Sequence, residues 1–89
     1  LKVFEEVLAD SVAQPIDPAA VSNEDQGQEY FERSLLLMNC LRGIELLSPE
    51  LDAQQRTRLA RLLDQVADAT KDNELSINAR ELSLKLSGA

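Results

Sequence analysis

Wound at about 100° per residue, the opening of the chain separates into two faces. Leu1, Val3, Phe4, Val7, Leu8 and Val12 fall on one side, whereas Lys2, Glu6, Asp10 and the small Ala9 and Ala13 fall on the other. The spacing predicts an amphipathic helix over about 1–14. Pro15 and Pro18 end it, because proline cannot continue a helical hydrogen-bond ladder. The stretch PIDPAAVSNE then reads as a connection over 15–24, with Asp17 ahead of Pro18 as the start of a short turn. Ser22-Asn-Glu-Asp25 resembles a capping box in which Asp substitutes for the usual Glu or Gln, and it marks the next helix start.

From about 25 to 47 the pattern is helical but broad. Tyr30, Leu37, Cys40, Leu41, Ile44 and Leu47 share one face, and Phe31, Leu35, Met38 and Leu46 form a second apolar strip. An apolar arc this wide predicts a central helix touched by several neighbours. Within it LLLMNCL is almost uninterrupted, but Glu32, Arg33, Asn39, Arg42 and Glu45 lie in or beside the run. A membrane-spanning helix needs about 20 nearly continuous apolar residues, so the segment reads as a helix of a water-exposed bundle.

A third helix is predicted over 49–69, with Ser48 as cap and Pro49 in the first turn. Asp52-Ala-Gln-Gln55 supplies a competing start signal. Leu51, Leu59, Leu62, Leu63 and Val66 occupy one arc and Gln54, Thr57, Arg58, Arg61, Asp64, Gln65 and Asp68 the other. The last segment, NELSINARELSLKL, predicts a helix over 73–86 on the spacing of Leu75, Ala79, Leu82 and Leu86, leaving Ile77 and Leu84 on its back. Read as alternation, LSI and LSLKL would instead form a hairpin, but no glycine turn separates them. The expectation is one all-α domain over 1–89, a small four-helix bundle, with an irregular or partly detached C-terminal helix as its variant.

Charge changes this picture little in fold and more in function. The net charge is −7, and residues 1–32 hold one Lys against eight acids while the remainder is balanced. Such a front half repels phosphate and anionic lipid and favours a basic partner. The chain opens LKVFEEV without Met, as an excised or processed segment would, and no leader or anchor motif is legible in it. With one Cys there is no internal disulfide, which fits a cytoplasmic setting.

The residue types exclude several chemistries. The absence of His removes the imidazole base of Ser or Cys nucleophiles and the commonest zinc ligand. Cys40, on an apolar helix face, reads as a buried structural thiol. The carboxylate pairs Glu5/Glu6 and Asp64/Asp68 fall on solvent faces or their margins, and no glycine-rich phosphate loop is present. Residues 68–79, DATKDNELSINA, mimic a calcium loop, with oxygen-bearing Asp68, Thr70, Asp72, Glu74 and Ser76 at alternate positions. Asn73 replaces the turn Gly, however, and Ala79 stands where a bidentate Glu closes such a site. Arg56, Arg58 and Arg61 are followed by Asp64 and Asp68, so direct nucleic-acid binding is not expected. No enzyme activity, cofactor, metal or membrane partner is expected.

What remains is surface. The strip Phe31, Leu35, Met38 and Leu46 and the pair Ile77 and Leu84 exceed what a bundle this small readily covers. These six residues predict contacts with another protein, or self-association, as in an adaptor, chaperone-like protein or regulatory subunit. The alternative is an acidic inhibitor or antitoxin-like protein that occupies a basic or nucleic-acid-binding site on its target.

Overall fold

The computed structural model describes residues 2–88. Leu1, which the pattern puts on the apolar side of the first helix, lies outside the described residues. Four helices follow one another, α1 (Lys2–Ala13), α2 (Glu24–Leu47), α3 (Ala53–Ala69) and α4 (Asn73–Leu86), with 3-10 turns at Pro18–Ala20 and Ser48–Glu50. Among the described residues there is no strand. The fold is an all-α small bundle. The hairpin and the irregular or detached helix left open for 73–86 are not realised: α4 is continuous and packs along α3.

Each helix start is fixed by local polar chemistry, and in two places that chemistry departs from the sequence expectation. The α2 cap is Asn23, whose side chain accepts from Gln26 N at 2.8 Å, while Gln26 Oε1 accepts from Ser22 N at 2.8 Å and Ser22 Oγ at 2.7 Å. The cap therefore sits one residue later than Ser22, because Gln26 is long enough to reach back and Asp25 is not. The third helix begins at Ala53 rather than 49. Asp52 and Gln55 complete a reciprocal capping box, with bonds of 2.8 and 3.0 Å, whereas the Ser48 hydroxyl turns back to Glu45 O at 2.8 Å. Arg56 then binds the carbonyls of Leu51 and Ser48, holding the 3-10 turn against α3.

Side-chain bridges define the topology. α1 and α2 run antiparallel: the Cys40 thiol donates to Phe4 O at 3.7 Å, and Arg33 donates to Gln14 O. The Phe4 ring lies over Gly43, where an added Cβ would come within 2.8 Å of Cζ. That close approach explains a glycine inside a long helix, where it otherwise costs about 1 kcal/mol relative to Ala. α3 and α4 are also antiparallel. Their seam is made of small residues, Ala60, Ala67 and Ala79, with Ser76 Oγ donating to Ala67 O at 2.7 Å and Ser83 Oγ to Ala60 O at 3.1 Å.

The two hairpins lie side by side in the same sense. α1 runs alongside α3 through Glu5–Arg58 at 3.5 Å and Lys71 N–Ile16 O at 2.9 Å. α2 runs alongside α4 through Tyr30–Asp72, Met38–Asn78 and Glu45–Lys85. α2 packs on α1 and α4 but not closely on α3. It is not the central helix its wide apolar arc predicts: the four helices form a ring in which each has two close helical neighbours.

Leu8, Ile16, Leu37, Ile44, Leu59, Leu63 and Val66 are fully enclosed between the hairpins. Phe4, Val7, Val12, Tyr30, Met38, Leu51 and Leu62 pack around them. Val3 departs from its expected face and is exposed. The molecule is elongated, 43 × 20 × 19 Å. Its accessible surface of 5742 Å² exceeds the roughly 5,200 Å² expected for a compact monomer of 9.9 kDa.

Two substitutions separate core filling from seam geometry. Leu63→Ala should cost about 2–5 kcal/mol by leaving a void between the hairpins. Ser83→Leu should cost about 1–3 kcal/mol by forcing α4 away from Ala60. Urea denaturation monitored by circular dichroism checks both values.

Candidate functional site

Because α2 and α4 run in the same sense but do not close tightly, a groove lies between them. One end is crossed by the hydrogen bond from Tyr30 to Asp72, and the other by the Glu45–Lys85 ion pair at 2.9 Å. Midway, Asn78 Nδ2 approaches Met38 Sδ at 3.7 Å. Fifteen residues of α2 separate Tyr30 from Glu45, a span of about 22 Å at the helical rise.

Two adjoining concavities make up the groove and share Leu35 and Met38. The first, about 240 Å³, is mainly apolar, with Phe31, Leu35, Met38 and Leu75 beside Tyr30, Ser34, Asp72 and Glu74. The second, about 550 Å³, has Leu41 and Leu82 on its floor and Arg42, Glu45, Glu81 and Lys85 along its edges. Arg42 on the α2 edge, and Glu74 and Glu81 on the α4 edge, have no ion-pair partner among the described residues. Glu74 and Glu81 stand two helical turns apart on one side of α4.

The six residues singled out from the sequence divide into two groups. Phe31, Leu35 and Met38 line the groove, Met38 being partly buried against the core. Leu46 lies farther along α2 and does not line it. Ile77 and Leu84 point away from the buried Leu75, Ala79, Leu82 and Leu86, on the outer face of α4. Apart from Met38, all are at least half exposed, from 50% at Leu35 to 76% at Leu46. The structure adds Leu36 and Val3 as further exposed apolar side chains. Sequence reasoning missed the polar rim of Tyr30, Asp72, Arg42, Glu74 and Glu81, because their proximity follows from the parallel pairing of α2 with α4. No local motif encodes that pairing.

The remaining chemistry is structural. Burial pushes the Cys40 thiol up to about 11, so its thiolate is scarce at neutral pH. The calcium-loop pattern of residues 68–79 does not form a loop. Asp68 lies in the last turn of α3 and pairs with Arg80, Asp72 caps α4 by accepting from Leu75 N at 3.1 Å, and Glu74 and Ser76 lie within α4. Among the described residues no cluster of three or more His, Cys, Asp or Glu is placed to hold a metal ion, and no helix is long and apolar enough to cross a membrane. In comparisons with known proteins, no protein-family model, curated protein or solved structure matches the chain.

The Tyr30–Asp72 bond gives the groove a pH signature. The hydrogen bond from Tyr30, reinforced by the Leu75 amide, holds the Asp72 carboxyl below its ordinary value. The bond to Asp72 and then burial hold the Tyr30 phenol above 10.0. The Asp72 contribution is present above the unfolded carboxylate value and is lost as pH falls through the depressed folded value. The Tyr30 contribution is present below its unfolded value and is lost as pH rises through the raised folded value. Tyr30→Phe should remove the alkaline dependence, weaken but not abolish the acid one, because the Leu75 amide still binds Asp72, and cost about 1 kcal/mol at neutral pH. Thermal denaturation across the pH range, wild type against variant, measures this.

Proposed function

We propose that this chain is a small acidic helical interaction module, of adaptor, chaperone-like or regulatory type, that binds another protein or a second copy of itself through the apolar faces of α2 and α4. One observation carries the reading. Phe31, Leu35, Leu46, Ile77 and Leu84 remain open to water on two neighbouring helices, although the interior is already filled by other side chains. Isolated exposed leucines are ordinary on a monomer, whereas several on adjacent helices beside a groove are a feature of binding surfaces. The reading gives the chain no catalytic role. No imidazole is available, the thiol is buried, and the perturbed Tyr30–Asp72 pair bridges two helices as a structural tie.

Aspartate at Leu35 or at Ile77 is the direct test. Both positions are exposed, so each variant should keep its helicity and denaturation midpoint while losing the complex the wild type forms, scored by co-purification and light scattering. That complex should survive about 0.5 M salt, where screening reduces exposed charge contacts. If both variants retain every association of the wild type, the reading is wrong.

The acidic front half supports a second reading, an inhibitor that occupies a basic site on its target. Among the described residues, Glu5 alone of its eight acids is in an ion pair, with Arg58. Binding through this surface would weaken steeply between low salt and 0.5 M, on the order of the screening length falling from 10 Å to a few ångström, and would tolerate both aspartate variants.

A further inference from the structure

We infer that the α2–α4 groove receives an amphipathic helix of another protein whose basic residues lie along the flank facing α4. This inference rests on the reading of α2 and α4 as the adhesive side of the molecule, and it names the occupant. Length comes first: the groove runs about 22 Å between its two polar crossings, which matches roughly fifteen residues of helix. Shape comes next. Phe31, Leu35, Met38 and Leu75 enclose the smaller concavity, and Leu41 and Leu82 floor the larger one, so apolar side chains at three- and four-residue spacing on an incoming helix meet both in turn.

Charge selects among occupants. The α4 edge offers Glu74 and Glu81, two turns apart and without an ion-pair partner among the described residues, which a helix lying along the groove meets with basic residues seven positions apart. Arg42 on the opposite edge favours an acidic or neutral residue on the other flank. A second copy of this chain is the poorer occupant, because each copy carries −7 and the two would repel.

The test is a titration of the full chain, followed by two-dimensional amide NMR, with three designed peptides of about sixteen residues. Two share one leucine face and differ only in carrying Lys or Glu along a flank; the third keeps the Lys content but scrambles the leucines. The Lys-flanked helix should shift amides of Leu35, Met38 and Asn78 and bind roughly five- to tenfold tighter than its Glu counterpart. Glu74→Lys combined with Glu81→Lys should reverse that preference. The scrambled peptide should leave the groove amides in place.

Equal affinity for the two flanked peptides, or shifts confined to the acidic surface of α1 and the start of α2, would overturn the inference. So would a dimer in sedimentation that Leu35→Asp dissolves, since that identifies the occupant as a second copy. If the peptides fail to bind while aspartate at Leu35 or Ile77 still abolishes a complex, only the helical occupant falls. If the aspartates are silent too, the interaction reading falls with it.

Discussion

The architecture depends on how closely α3 can approach α4. Ala60 and Ala67 on one helix face Ser83 and Ser76 on the other, and the two serine hydroxyls donate to the opposing backbone carbonyls. Side chains this small let the helix axes come together, and the hydroxyls find partners without opening a gap. The result is a stiff hairpin joined by three residues, with Asp72 both ending the connection and capping α4. α1 then packs on α3, and α2 closes the ring against α1 and α4. The exposed strip on α2 follows from this arrangement. A helix that touches two neighbours cannot bury an arc patterned for more.

Seen this way, the apolar surface and the groove have one cause. α2 meets α4 through polar crossings at both ends and a soft Met38–Asn78 contact between, with no seam of small residues to draw them together. The space between them remains open, and its edges hold Arg42, Glu74 and Glu81 without ion-pair partners among the described residues. A tighter fit would have required small residues where Leu35, Met38 and Asn78 stand.

Periodicity made the helices legible. The arc of Leu59, Leu63 and Val66 and that of Leu75, Ala79, Leu82 and Leu86 are both buried as the spacing implies. The two helix starts that differed turned on side-chain reach: Gln26 and Gln55 extend back to a preceding amide, and Asp25 and Ser48 do not serve that purpose. What periodicity could not supply was pairing. That Tyr30 meets Asp72 across forty-two positions, or that α2 has only two close helical neighbours, depends on which hairpin lies beside which, and the strength of an apolar stripe does not carry that information. The calcium-like alternation of residues 68–79 has a helical explanation as well. Oxygen-bearing side chains at every second position fit a loop, but the same residues also cap and decorate the helix that forms there.

Tyr30 is the only tyrosine, and there is no tryptophan. Its ring lines the smaller concavity and its hydroxyl ties the two helices at that end. The near-ultraviolet absorbance and intrinsic emission of the whole molecule therefore originate beside the groove, with Phe31 in the same concavity and only the weak Phe4 elsewhere. The protein carries a built-in optical reporter at one end of this surface, and whatever settles there is registered without a dye.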